Sequence, residues 1–113
     1  MKVVYVAGPF RGKSHWDIAE NIRTAERLAL QVWKSGMVAI CPHLNTAHFQ
    51  DELPDMTWLN GDLELLLRSD AMILTENWKQ SAGAEAERNF AFDHKIPVFT
   101  SILDLQVWLS CQD

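Results

Sequence analysis

Cysteine is scarce in this sequence: two in 113 residues, with Cys41 and Cys111 forming neither a CxxC pair nor a zinc-ligand spacing. A fold stapled by disulfides or by a structural metal is not expected, and reduced thiols in a cytoplasmic protein are. An excess of positive charge is also missing. Ten Lys and Arg stand against fifteen Asp and Glu, for a net charge of -5, and the cations are scattered. No nucleic-acid polymer is therefore expected as a partner, although local positive groups still suit a small anion. Long apolar runs are lacking too. Val3 to Ala7 is too short for the core of a signal peptide, and no stretch approaches a membrane span, so no membrane partner is expected. Repeats and low-complexity segments are absent. The length suits one domain, 1–113, able to bury roughly two-thirds of its unfolded surface.

What is present is an alternation of apolar runs and helical periodicities. Lys2 to Ala7 reads as a buried strand ended by Gly8-Pro9. Ser14 with Asp17 signals a helix start; Ile18, Ile22, Ala25, Ala29, Val32 and Trp33 then recur at helical spacing until Gly36. Met37 to Cys41 reads as a strand, Pro42 to Pro54 as a loop, Asp55 to Ser69 as a helix and Asp70 to Thr75 as a strand. Glu76 to Ser81 connects to a helix over Ala82 to Lys95, followed by a strand over Pro97 to Thr100. A closing helix over Ile102 to Ser110 turns Ile102, Leu105, Trp108 and Leu109 inward. This order predicts a doubly wound α/β domain: a parallel sheet of four to five strands with helices on both faces, binding its ligand at the carboxyl ends of the strands. The segments Gly8 to Ser14, Pro42 to Pro54 and Glu76 to Ser81 meet at that edge.

Two helical carboxylates have apolar neighbours three and four residues away. Those of Asp62 are Trp58, Leu59, Leu65 and Leu66; those of Glu87 are Gly83, Ala84, Phe90 and Ala91. Desolvation on such faces raises a carboxyl pKa, which suits acid, base or nucleophile chemistry. Glu64 and Glu85, by contrast, have Arg68 and Arg88 within helical reach and read as ion-paired surface.

The remaining candidates each carry a plainer reading. Gly8-Pro9-Phe10-Arg11-Gly12-Lys13-Ser14 leads into a helix N-terminus, where an anion is favoured, with Arg11 and Lys13 adding charge. A Walker loop needs four residues between its glycines and this loop has three, while Pro9 removes a donor; the plain alternative is a glycine-rich turn. Ser81 is a natural N-cap, and Gly83 with its alanine neighbours leaves room for a ligand beside Glu87 or for close helix–sheet packing. Tyr5 points to the same side as Val3 and Ala7, as filler or as a donor to a carboxylate. His43, just past the second strand, is positioned to hydrogen-bond a substrate, and Trp78 to stack on a base or close the core. His43 and His48 lack metal-ligand spacing, and no metal site is expected. Asp70, at the far end of its strand, reads as structural.

These residues resemble the nucleoside 2-deoxyribosyltransferase superfamily, and within it the deoxynucleoside 5′-monophosphate N-glycosidases and their small bacterial and phage relatives. The carriers are Tyr5-Val6-Ala7-Gly8-Pro9-Phe10-Arg11-Gly12, Asp62-Leu63 followed by Ser69-Asp70-Ala71, Ser81-x-Gly83-x-x-x-Glu87, and Pro97-Val98, spread over nearly the whole chain. The resemblance implies that Glu87 is a nucleophile forming a glycosyl-enzyme ester, that Asp62 is the acid assisting departure of the base, and that Tyr5 positions the nucleophile. It implies that Arg11 and Ser81 hold a 5′-phosphate, where free-nucleoside transferases carry an acid at the Ser81 position. Pro9 departs from the phosphate-binding Ser of the hydrolases. Relatives assemble as homodimers or larger, and five Trp in so small a chain leave apolar surface for a second copy.

The expectation is thus cleavage of the N-glycosidic bond of a nucleotide or nucleoside, by hydrolysis or transfer, without metal or organic cofactor. A rival reading is a nucleotide-binding module that keeps Arg11 and Ser81 but dispenses with Glu87. A phosphoryl-transfer enzyme, the third, would depend on Mg2+ and Lys13.

Overall fold

A computed structural model describes residues 1–49 and 51–112. The described elements are β1 (Val3–Ala7), α1 (His15–Lys34), β2 (Val38–Ile40), α2 (Pro42–Asn45), α3 (Asp55–Leu67), β3 (Ala71–Leu74), a 3-10 turn (Trp78–Gln80), α4 (Ala82–Asp93), β4 (Val98–Phe99) and α5 (Ile102–Ser110). The alternation expected from the sequence is the one found, and the sheet has four strands. One difference lies in the segment read as a continuous loop from Pro42: its start forms a helical turn, with Pro42 in the first-turn position where a missing N–H is harmless.

The ends of the longer helices follow from local chemistry. Ser14 Oγ accepts the Asp17 N–H at 3.1 Å to start α1. Gly36, at φ +85, ends it in a Schellman turn: the Gly36 N–H meets Trp33 O at 3.0 Å and the Met37 N–H meets Val32 O at 3.3 Å. Ser81 and Ser101 cap α4 and α5 by accepting the Ala84 and Asp104 N–H groups.

All strand pairings are parallel, in the order β2-β1-β3-β4. Val4 to Ala7 of β1 run beside Ala71 to Leu74 of β3, and Val3 to Tyr5 run beside Val38 to Ile40 of β2. Strand order reverses between β1 and β3, which opens a crevice at their carboxyl ends. Alternation along β1 then divides the molecule. Val4 and Val6 join Ala25, Ala29 and Val32 of α1, Ile73 of β3 and Leu105 of α5 in one core; Tyr5 and Ala7 join Leu66 of α3, Met72 and Leu74 of β3, and Ala84 and Ala91 of α4 in the other. Trp33, counted with the periodic face of α1, is 53% exposed, because the buried stripe runs through Ala25, Ala29 and Val32 and leaves the next residue pointing outward. At the opposite end of the sheet Asp70 accepts the Val3 N–H at 2.8 Å, the structural role expected of it. No helix among the described residues is long and apolar enough to cross a membrane.

Candidate active site

Tyr5, Asp62 and Glu87 come from a strand and two helices and converge on the α3/α4 side of the sheet. Tyr5 is fully buried on β1, and its hydroxyl donates to Glu87 Oε2 across 82 positions of sequence. Glu87 lies two turns into α4, between buried Ala84 and Ala91. Asp62 reaches the group because α3 packs on α4, a proximity the sequence left open.

The electrostatics follow from this packing. Burial lifts the Glu87 carboxyl from 4.5 to about 7; the Tyr5 hydroxyl pulls against that rise, and the charge of Asp62 adds to it. Burial alone lifts Asp62 from 3.8 to about 6. The Tyr5 hydroxyl is driven up by its own burial and by both acids, so it remains a donor at any working pH. The two carboxyls titrate as a coupled pair, and over the range between those values they share one proton. In that state the higher value of Glu87 draws the proton toward it, while the hydroxyl of Tyr5 favours charge on Glu87 and so keeps the form with ionised Glu87 and protonated Asp62 populated.

The other expected residues surround this group, several with structural work of their own. Gly8 is required by close approach: a Cβ there would run into the Thr75 side chain at the end of β3, and one at Gly12 would run into Asp17. The glycines of this turn thus have a packing reason. His43 is buried, and its Nε2–H donates to Pro9 O at 2.8 Å, with its ring edge-on to Phe10 at 5.5 Å. Burial depresses its pKa, and the neutral ring buttresses the loop, so the donor assigned to a substrate is spent on the backbone. Arg11 projects into solvent and donates to Asp55 on the first turn of α3 at 2.5 Å. Ser81 caps α4 through its oxygen, and its own O–H remains free to donate. A Cβ at Gly83 would meet only Ser81 Oγ at 3.7 Å, so packing does not demand a glycine there and the surface beside Ser81 is open.

Trp78 is half-buried against the second core, and the Arg88 guanidinium lies 5.1 Å from its ring and 4.6 Å from that of Phe92. This corrects the expected Glu85–Arg88 pair: the aromatic faces hold Arg88 instead, whereas the Glu64–Arg68 pair forms at 3.1 Å. Sequence reasoning passed over Asn21, whose amide donates to both Phe10 O and Arg11 O at 3.1 Å and so pins the loop after β1. The available signal was an amide set among Ile18, Ile22 and Ala25 on the inner stripe of α1. Thr75, also passed over, donates to Asn77 Oδ1 at 2.7 Å beside Gly8.

Clefts of about 350 and 340 Å3 lie at the amino edge of the sheet and on its α1/α5 side, and neither is lined by Tyr5, Asp62 or Glu87. Asp62 and Glu87 are partly buried, and Leu59, three residues before Asp62 on α3, is 48% exposed.

A four-stranded parallel sheet in this order, with a Tyr–Glu–Asp group at its reversal point, places the chain in a recognisable structural class. It has the fold of a conserved protein from Enterococcus faecalis V583, with a TM-score of 0.67 and 23% identity over 87% of this chain and 61% of that one. The 2-desoxiribosyltransferase from Leishmania mexicana shares it at a TM-score of 0.61 and 18% identity, over 89% of this chain and 66% of that one. A 2-deoxyribosyltransferase from Bacillus psychrosaccharolyticus shares it at 0.62 and 19%, over 85% and 69%. The chain thus spans about three-fifths to two-thirds of the length of these proteins. Within that class it belongs to the family described as Domain of unknown function (DUF7768), which it matches over residues 2–101. No curated protein matches it.

Proposed function

We propose that the protein cleaves the N-glycosidic bond of a nucleotide, a 2′-deoxynucleoside 5′-monophosphate, through a covalent glycosyl-enzyme intermediate. The observation that carries this reading is the hydrogen bond from buried Tyr5 to Glu87 with Asp62 alongside, on the α3/α4 face of the sheet where the strand order reverses between β1 and β3. Glu87, ionised and held by Tyr5, attacks the anomeric carbon. The bond from that carbon to the base nitrogen breaks, and Asp62 passes its proton to the departing base. Asp62, now a carboxylate, takes a proton from the water that displaces Glu87 and releases the sugar. A second base in place of water gives transfer. The free O–H of Ser81 and the guanidinium of Arg11 supply donors for the 5′-phosphate, with Pro9 contributing none. Trp78 lies in the loop at the same edge and offers a ring toward the base.

The active form in this reading is a homodimer. Its support is apolar surface on the two helices that carry the acids: Met56, Leu59 and Leu67 of α3 and Phe92 of α4 are 47–59% exposed. A second copy covering this surface would wall the site further.

The test is a metal-free incubation with nucleosides and 5′-monophosphates in ribo and deoxy forms, following free base by chromatography beside Glu87→Ala. Base released by the wild type and not by the variant is the expected result, and the panel names the substrate. No release from any member, with or without an acceptor base, would replace this reading with the non-catalytic nucleotide-binding module.

A further inference from the structure

We propose that Asp55 is a specificity-determining residue, an internal anion that competes with a 5′-phosphate for Arg11 and so narrows the preference for phosphorylated over unphosphorylated sugars. This rests on the proposed use of Arg11 and Ser81 as phosphate donors. The Arg11 Nη2 to Asp55 Oδ2 distance is 2.5 Å, and the two side chains are 79% and 65% exposed. The guanidinium therefore already holds an oxyanion, which a phosphate oxygen would have to displace.

The placement ties this pair to the chemistry. Asp55 and Asp62 are two turns apart on α3 and share a helix face, about 10 Å apart along the axis. Arg11–Asp55 thus marks one end of a strip whose other end is Asp62, Glu87 and Tyr5, a length that a pentose 5-phosphate and its hydrogen bonds can span. The loop carrying Arg11 is held by Asn21 and by His43, so Arg11 is presented from a fixed backbone. Asp55 is equally placed, on the first helical turn, where the dipole favours a negative charge.

Magnitudes decide that the device attenuates rather than blocks. An exposed ion pair is worth a factor of about 1.5 to 5 in an equilibrium. A phosphate dianion gripped by two guanidinium N–H groups outcompetes a single exposed carboxylate. Binding of phosphate then displaces Asp55 from Arg11, at the cost of that factor plus the repulsion between the two anions. A ligand with a free 5′-hydroxyl leaves the pair in place and incurs neither.

The experiment measures binding of 2-deoxyribose 5-phosphate and of 2-deoxyribose by NMR titration to the wild type, Asp55→Asn, Arg11→Ala and the double variant, with thermal melts as a folding control. Asp55→Asn should tighten the phosphorylated sugar about three- to ten-fold and leave the unphosphorylated one unchanged, more so at low salt. Most of that gain should vanish in the Arg11→Ala background. Equal changes for both sugars, no change, or a full gain without Arg11 would each overturn the proposal, and Asp55→Ser guards against a peculiarity of the amide. Base release is read separately. Release without the shift in sugar preference sinks the role of Asp55, and the shift without release sinks the N-glycosidase reading while leaving Asp55 as the filter of a binding site.

Discussion

The two faces of the sheet are built from the same strands and do opposite things. Toward α1 and α5, β1 and β3 present Val4, Val6, Ala71 and Ile73, all fully buried among aliphatic neighbours. Toward α3 and α4, the residues between them present Tyr5, Met72 and Leu74, and the helices above contribute Asp62 and Glu87. A strand with a two-residue period can thus hold a dry core on one side and a perturbed carboxyl pair on the other. The first face supplies stability with no chemistry. The second gives up stability, because burial resists ionisation of its acids, and in the proposed reaction gains reactivity from the same cause.

Glu87→Gln breaks the contrast most strongly. In the proposed reaction it removes the nucleophile, and base release should fall about a thousandfold or more. Stability should move the other way. Because burial raises the Glu87 pKa from 4.5 to about 7, its carboxyl stabilises the fold least once ionised. The glutamine therefore gains nothing below about pH 4.5 and gains progressively as pH rises through about 7. The benefit should reach about 1–3 kcal/mol at pH 8, after allowance for partial exposure. Urea unfolding of both proteins at pH 4 and pH 8 measures it, and a difference that ignores pH would contradict the assignment.

Ile73→Ala makes the complementary cut. Ile73 is fully buried in the α1/α5 core, paired with Val6 and Phe99, and its truncation leaves a cavity expected to cost about 2–5 kcal/mol. Turnover per folded molecule should stay near that of the wild type. If turnover falls with stability, the two faces are coupled more tightly than their separate cores imply.

Legibility in the sequence followed the same division. Strand and helix positions were readable because apolar period and capping residues are local signals: Ser14, Gly36 and Ser81 each do at their helix ends what the pattern implied. The apolar faces of Asp62 and Glu87 were readable for the same reason. The order β2-β1-β3-β4 was not, because no residue encodes which neighbour a buried strand will choose. The meeting of Tyr5 with Glu87 depends on that order. Helical spacing also overrated the Glu85–Arg88 pair, since an exposed ion pair is weak and two aromatic faces stood within reach of the guanidinium. His43 was legible as a polar group near the edge, but its partner, the carbonyl of Pro9, lies 34 positions away and leaves no trace in composition.

Tyr5→Phe makes the smallest change and tests the link between the faces' shared strand and the acid pair. Phe keeps the ring that fills the core and deletes only the hydroxyl that donates to Glu87. With Asp62 rising to about 6 and Glu87 to about 7, the reactive, singly protonated pair exists over a narrow band, and kcat/KM should follow a bell centred between those values. The acid limb is uptake of a second proton by the pair; the alkaline limb is loss of its last proton. Without the hydroxyl the fraction of the pair with Glu87 ionised and the proton on Asp62 shrinks, so the height of the bell should drop about tenfold, the worth of a hydrogen bond to a charged group. The last proton, held more firmly by Glu87 once the hydroxyl is gone, leaves at higher pH, and the alkaline limb should move up by about one unit. A lower bell with unmoved limbs would mean that Tyr5 acts on the site by packing alone, and the charge on Glu87 would then need another source of support.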